Sequence, residues 1–128
     1  MIDVNIQSSI KITGSKTIYF DPLNMEEYHD ADYIFITHTH YDHLELSSIK
    51  KIIKDDTIII GPEDIKSKIN NDIIDNSIIC IKPLDELELP GIKVKGLYSY
   101  NKNKSFHKKE NNWLGYYIVF YVSFLENE

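Results

Sequence analysis

Residues 33–43 have the sequence YIFITHTHYDH, an apolar run followed by three histidines and one aspartate within six positions. The run at 33–36 is typical of a β-strand that is buried on both faces. Packing does not require the composition of residues 38–43. Neutral imidazoles and a carboxylate are instead suitable ligands for a borderline metal ion such as Zn²⁺. The stretch therefore predicts a buried strand that ends at a metal site.

The spacing of the histidines supports this prediction. His38 and His40 are two residues apart, so their side chains point to the same side of an extended backbone. A strand ending at Ile36 would present both imidazoles at its carboxyl end, where α/β sheets place their sites. Asp42 and His43 follow in the turn, close enough to contact the same ion or an adjacent one. The alternative is a polar turn whose histidines cap the next helix. It is disfavoured because three histidines and an aspartate occur within six residues.

Strand and helix patterns alternate around the cluster. Residues 6–12 and 17–20 predict a hairpin that turns at Gly14, and Asp21-Pro22 ends its second strand. Apolar residues from Leu46 onward fall at helical spacing, which predicts a helix directly after the cluster.

The rest of the chain continues the pattern. A short buried strand is predicted at 57–60, and residues 61–64 open a second helix with proline in its first position. A third strand at 77–82 then completes an alternation that predicts an α/β layer. Residues 86–95 predict a further hairpin, and the aromatic stretch 113–124 predicts a final strand.

One later histidine is a further candidate ligand. His107 lies in a predicted surface loop rich in asparagine and lysine, and no other residue there suits a borderline metal. With His38 and His40 it would complete a three-histidine site with one position open for water, as in catalytic zinc sites. His29 lies in a polar segment and is interpreted as a solvated loop residue. Cys80 lies in an apolar run and is interpreted as a small buried hydrophobe.

The residues 38–43 match the His-x-His-x-Asp-His signature, and the chain resembles the metallo-β-lactamase superfamily. The hairpin that ends at Asp21-Pro22, the strand that enters the motif and the helix after it follow the same order. Residues 100–116 are similar to a branch of zinc-dependent hydrolases related to ascorbate-6-phosphate lactonase.

The resemblance implies an α/β fold, a four-layer αββα sandwich of mixed sheets with flanking helices. It also implies that His38, His40 and His107, which lies 64 residues after His43, hold a first Zn²⁺. Asp42 and His43 would help to hold a second ion. A hydroxide held by the metals would attack a carbonyl or phosphoryl centre, and Asp42 could orient that water or accept its proton.

The length of the chain departs from the family's pattern. Single domains of this kind have roughly 200–250 residues, whereas this chain has 128 and contains neither a Gly-Asp-Thr-Asp-like turn nor a histidine after His107. We therefore expect residues 1–128 to form a single partial domain, the N-terminal part of a C-terminally truncated sandwich. We also expect an incomplete second metal site, so that one or two ions bind. An open sheet face would favour a homo-oligomer. The uncharged stretch 116–124 is either a segment prone to aggregate or to bind a partner, or an interior strand covered by the chain's own helices.

Composition excludes some function classes. The net charge is −6, and all 14 basic residues are lysines dispersed among acids, which argues against nucleic-acid binding. No apolar run has membrane-spanning length, so no membrane association is expected. A single cysteine fits a reducing compartment, and we expect a cytoplasmic protein.

Two functions remain open at this stage. The first is a zinc-dependent hydrolase acting on an ester, lactone or phosphoester of a small molecule, and the absence of arginine argues mildly against a strongly phosphorylated substrate. The second is a truncated, inactive metal-binding fragment, or a subunit that depends on a partner and lacks the second metal site.

Overall fold

The computed structural model describes residues 2–4, 9–38, 44–69, 73, 77–98 and 114–120. A six-stranded sheet, the first sheet, is formed by β1 (Ile2–Val4), β2 (Ile10–Thr13), β3 (Thr17–Phe20), β4 (Tyr33–Phe35), β5 (Ile58–Gly61) and β6 (Ile78–Cys80), in that order. Strands β1 to β3 pair antiparallel, whereas β3 to β6 pair parallel. The predicted hairpin and the mixed character of the sheet are confirmed.

Two helices connect the parallel strands. Helix α1 (Leu46–Ile52) lies between β4 and β5, and α2 (Ile65–Lys68) lies between β5 and β6. Their buried isoleucines pack with Ile34, Ile36 and Ile59 of the first sheet. Both helices therefore cover the same face of that sheet.

A second sheet covers the opposite face. It consists of the antiparallel strands β7 (Glu86–Leu89), β8 (Ile92–Tyr98) and β9 (Leu114–Phe120). The turn between β7 and β8 contains Gly91, whose φ of 83° is readily adopted by glycine. Ile92 and Val94 of this sheet pack with Tyr33 and Phe35 of β4.

The strand that precedes the histidine cluster is thus buried on both faces, as predicted. The described residues form three layers, which are the two helices, the first sheet and the second sheet. The predicted fold class is confirmed: it is an α/β fold with a mixed sheet and flanking helices, corresponding to three layers of an αββα sandwich.

The predicted start of α2 is wrong. Gly61 belongs to β5, where it pairs with Cys80, and the helix begins only at Ile65 after Pro62. The strand ladder holds Gly61 in an extended conformation, so proline does not occupy the first helical position. A Cβ atom at Gly61 would overlap the Ile65 side chain, so glycine allows α2 to lie close to the strand.

Asp32 connects the amino ends of three strands. Its carboxylate accepts hydrogen bonds from the Thr17 backbone N–H at 2.7 Å and from Lys54 Nζ at 2.8 Å. Its own N–H donates to Thr17 O, and its carbonyl accepts from Ile58 N–H. Burial alone would raise the pKa of Asp32, but the bonds from Lys54 and Thr17 outweigh it and lower the pKa of this carboxyl.

The double-sided burial of β4 predicts a difference between two conservative substitutions. Ile34 is fully buried, so Ile34→Val should lower the free energy of unfolding by about 0.5–1.5 kcal/mol. Ile2 is 66% exposed, so Ile2→Val should have little effect. Urea unfolding measures both, and equal losses would contradict the assignment of β4 to the core.

The hydrogen bonds of Asp32 predict a pH-dependent contribution to stability. Asp32→Asn should lower the free energy of unfolding by about 1 kcal/mol at neutral pH, because the charge opposite Lys54 is lost. The folded-state pKa lies below the unfolded value of 3.8, so this difference is complete above that value. It should disappear as pH falls through the folded-state pKa.

Urea unfolding at a series of pH values measures the Asp32 effect. Asp55→Asn, at an exposed neighbouring carboxyl, is the matched control and should change the free energy of unfolding little at neutral pH. A constant difference between wild type and Asp32→Asn down to the lowest pH would contradict the role assigned to the charge.

Candidate metal centre

The first residues of the candidate site lie where β3 and β4 end. Parallel strands bring their carboxyl ends to the same edge of a sheet, and here this edge carries Asp21 after β3 and Thr37-His38 after β4. Asp21 is 3% exposed and His38 is 5% exposed. The edge therefore holds a carboxyl and an imidazole that are both largely removed from water.

Asp21 holds the backbone that leads into the histidine cluster. Its Oδ1 accepts the Thr37 N–H at 2.8 Å, and its Oδ2 accepts the Thr37 hydroxyl at 2.6 Å. Its own N–H donates to Phe35 O at 2.9 Å. A φ of 46° turns the chain away from β3 at this point, in the left-handed region that aspartate tolerates better than most residues. One side chain thus fixes the position of Thr37 through two bonds.

The Thr37 hydroxyl connects Asp21 to the imidazole ring of His38 by hydrogen bonds. Thr37 Oγ1 lies 2.7 Å from His38 Nδ1. A hydroxyl carries one hydrogen, and the Asp21 carboxylate can only accept. When Thr37 donates to Asp21 it must accept from His38, which assigns the proton to Nδ1. The Nε2 lone pair is then the one that can bind a cation.

This arrangement fits a metal-ligating histidine. Such a histidine donates its other ring N–H to an oxygen that fixes the tautomer and the ring orientation. Here that oxygen is a threonine hydroxyl, which is itself bonded to a buried carboxylate. His38 and its partners therefore have the hydrogen-bond pattern that a metal-ligating histidine needs.

The other predicted ligands lie outside the described residues. These are His40, Asp42, His43 and His107. Within the described ranges, no group of three or more histidine, cysteine or acidic side chains could hold a metal ion. The ligand set as a whole stays a prediction, and His38 is its one member with a described environment.

The remaining histidine, His29, bonds to groups outside the candidate site. His29 has a half-exposed side chain, which agrees with its interpretation as a loop residue. It is nevertheless ordered by bonds from Nδ1 to Ile53 O at 2.8 Å and from Nε2 to Glu27 Oε2 at 2.7 Å. The bond to Ile53, followed by that to Glu27, raises the pKa of His29.

Sequence reasoning missed Asp21 and Thr37 as parts of the site. The motif draws attention to histidine and aspartate after β4, and the sequence indicates Asp21 as the end of a strand but not as a hydrogen-bond partner of Thr37. Its signal was available, since an acidic residue at the carboxyl end of a strand lies near the end of a parallel neighbour. What the sequence did not show is that β3 and β4 are neighbours.

Solved structures share this fold. One is a metal-dependent hydrolase, by provisional assignment, from Parabacteroides distasonis, with a TM-score of 0.77 and 25% identity over 93% of this chain and 55% of that one. A second provisionally assigned metal-dependent hydrolase, from Veillonella parvula, has a TM-score of 0.61 and 17% identity over 88% and 55% of the two chains.

A third similar structure is a diiron β-hydroxylase from Streptomyces venezuelae, with a TM-score of 0.60 and 15% identity over 88% of this chain and 26% of that one. No protein-family model and no curated protein sequence matches the chain. The chain therefore shares its fold with these three proteins, and it spans about half the length of the two provisionally assigned hydrolases.

Neither helix in the described part of the chain has the length and apolar character that a bilayer crossing requires.

The hydroxyl of Thr37 predicts a specific effect on His38. Thr37→Val keeps the shape of the side chain but removes the acceptor for His38 Nδ1 and the donor to Asp21. We expect a loss of about 1–3 kcal/mol in the free energy of unfolding. We also expect His38 to lose its preference for the Nδ1–H tautomer, which the ¹⁵N shifts of the ring report.

Thr57→Val is the matched control for this measurement. Thr57 is also buried, and its hydroxyl donates to Ala31 O and accepts from Lys54 N–H. It should lower stability similarly and leave the His38 ring shifts unchanged. The hydrogen-bond chain is contradicted if Thr37→Val leaves those shifts as in the wild type.

Proposed function

We propose that this chain is a zinc-dependent hydrolase of the metallo-β-lactamase fold. The observation that carries the proposal is the ordered imidazole of His38, placed by Asp21 and Thr37 at the carboxyl end of β4. This is where the His-x-His-x-Asp-His signature begins. The metal-dependent hydrolases with the same fold support the class of reaction.

The proposed ligands of the first ion are His38, His40 and His107. Asp42 and His43 would hold, or lie beside, a second ion, and Asp42 is the proposed group that orients water or accepts its proton. When bound, Zn²⁺ would supply hydrolytic chemistry by lowering the pKa of a water molecule. The chain's own contribution is to present neutral imidazoles in a fixed orientation, which Asp21 and Thr37 already do for His38.

The proposed substrate is a small molecule with an ester, lactone or phosphoester bond. The resemblance of residues 100–116 to the branch related to ascorbate-6-phosphate lactonase favours a lactone. The absence of arginine in the sequence disfavours a substrate with several phosphate groups, since arginine is the usual bidentate partner of phosphate.

A partner-dependent subunit is the second candidate, and a surface of the second sheet favours it. The outer face of that sheet carries the exposed side chains of Leu97, Tyr117 and Val119 beside Lys93 and Lys95. Within the described ranges, β9 pairs with β8 on one side only. A second copy of the chain that covers this face is the proposed partner, and sedimentation at increasing concentration tests for it.

Removal of the proposed ligands tests the hydrolase. His38→Ala and His107→Ala should each abolish tight binding of Zn²⁺ and reduce lactone or ester hydrolysis by more than the 10–100-fold typical of outer-sphere changes. His29→Ala is the matched control, because in the described residues the His29 side chain bonds to Ile53 O and Glu27 and not to the groups around His38. Metal analysis, competition with a chelating dye and turnover measure these effects.

Each result separates the candidates. A His107→Ala variant with wild-type zinc affinity would remove His107 from the ligand set. A folded, zinc-loaded wild type without turnover on esters, lactones or phosphoesters would favour the inactive or partner-dependent subunit. Two tightly held ions per chain would contradict the prediction that the second site is incomplete.

A further inference from the structure

Tyr116 connects the second sheet to the end of β4. It lies in β9 opposite Gly96 and packs against the first sheet. Its ring contacts Phe35 edge-on with centroids 4.9 Å apart, and it lies 6.5 Å from the ring of Phe20. These contacts fix the direction in which the phenol points.

The phenol hydroxyl is bonded to the last carbonyl before the histidine cluster. It donates to Ile36 O at 2.6 Å and lies 3.3 Å from Ile60 O. Ile60 O already accepts the Ile36 N–H at 2.8 Å. The short bond to Ile36 is therefore the one that supplies a partner to a carbonyl beyond the end of the β4–β5 ladder.

The hydrogen bond from Tyr116 matters because the Ile36 carbonyl belongs to the peptide group that joins Ile36 to Thr37. Ile36 O and Thr37 N are the two polar atoms of the same planar peptide unit. The oxygen accepts from Tyr116, and the N–H donates to Asp21 Oδ1 at 2.8 Å. The peptide plane is thus held from both sides, and its orientation sets the direction of Thr37 and His38.

The environment of the phenol keeps it a donor. Burial, followed by the charge of Asp21 and then by Cys80, raises the pKa of Tyr116 well above its usual value. The hydroxyl therefore keeps its hydrogen at neutral pH and can donate it to Ile36 O.

We infer that Tyr116 is a positioning residue of the metal centre, which acts through the Ile36–Thr37 peptide unit to orient the imidazole of His38. The inference rests on the proposed function, because it concerns the same metal. It assigns to the second sheet a part in metal binding, through a residue 80 positions away from Ile36 in the sequence.

Tyr33 offers a matched control. Its hydroxyl also donates to a backbone carbonyl, Pro90 O at 2.5 Å, and also joins the first sheet to the second. Tyr33 lies at the amino end of β4, the end opposite from His38, whereas Tyr116 bonds to the residue that follows the carboxyl end of β4. Tyr33→Phe and Tyr116→Phe thus remove the same chemical group from the same interface between sheets, and each keeps its aromatic ring.

The experiment uses Co²⁺ alone as the probe, since its visible absorption reports ligand geometry. Both variants should lose similar stability in urea unfolding, because each leaves one carbonyl without its phenol. Only Tyr116→Phe should weaken Co²⁺ binding, by about 10–100-fold, the range for groups that orient a ligand. It should also change the visible spectrum of the bound ion, whereas Tyr33→Phe should keep the wild-type affinity and spectrum.

Three outcomes would overturn the inference. Wild-type affinity and spectrum in Tyr116→Phe would show that the phenol does not position the ligand. Equal weakening in both variants would show that loss of general stability is the cause. A wild type that binds no Co²⁺ would contradict both the proposed function and the inference. This result is distinguishable from the first two, because it is seen in the wild type and does not depend on either variant.

Discussion

The burial of β4 on both of its faces is the constraint on which the rest of the structure depends. Ile34 and Ile36 pack under the helices, while Tyr33 and Phe35 pack against the second sheet. A strand in this position must lie in the middle of a layered domain. Its end is therefore surrounded by groups from several other elements, and the positions of Thr37 and His38 depend on the layers on both sides.

The polar groups at that end follow from the same burial. Backbone N–H and C=O groups removed from water need partners, and the regular ladder supplies them only while strands run side by side. Beyond Phe35 the N–H of Ile36 still finds its partner in β5, at Ile60 O. The next two groups are satisfied by side chains: Tyr116 donates to Ile36 O, and Asp21 accepts from the Thr37 N–H. The same hydrogen bonds also fix the position of His38, the first residue of the histidine cluster. They therefore contribute both to the stability of the fold and to the geometry of the candidate site.

Much of the fold was predictable because its signals are local. The apolar run before the cluster, the hairpin around Gly14 and the helical spacing after Leu46 each depend on residues close together in sequence, and the structure confirms them. The start of α2 was not predictable in this way. Pro62 and its acidic neighbours resemble a helix N-terminus, but the pairing of Gly61 with Cys80 extends β5 through this point. The long-range pairing of β5 with β6 therefore outweighed the local preference of Pro62 for the start of a helix.

The sequence by itself determined which groups are available: a buried strand, a cluster of imidazoles and a carboxylate at its end, and no arginine to bind phosphate. These are properties of residue type and of spacing within one segment. Only the tertiary structure decided which atoms surround His38. Asp21 and Tyr116 reach the Ile36–Thr37 peptide unit because β3 pairs beside β4 and β9 packs across it. Both depend on the association of distant segments, driven by burial of apolar surface, which has no signature in the spacing of the residues themselves.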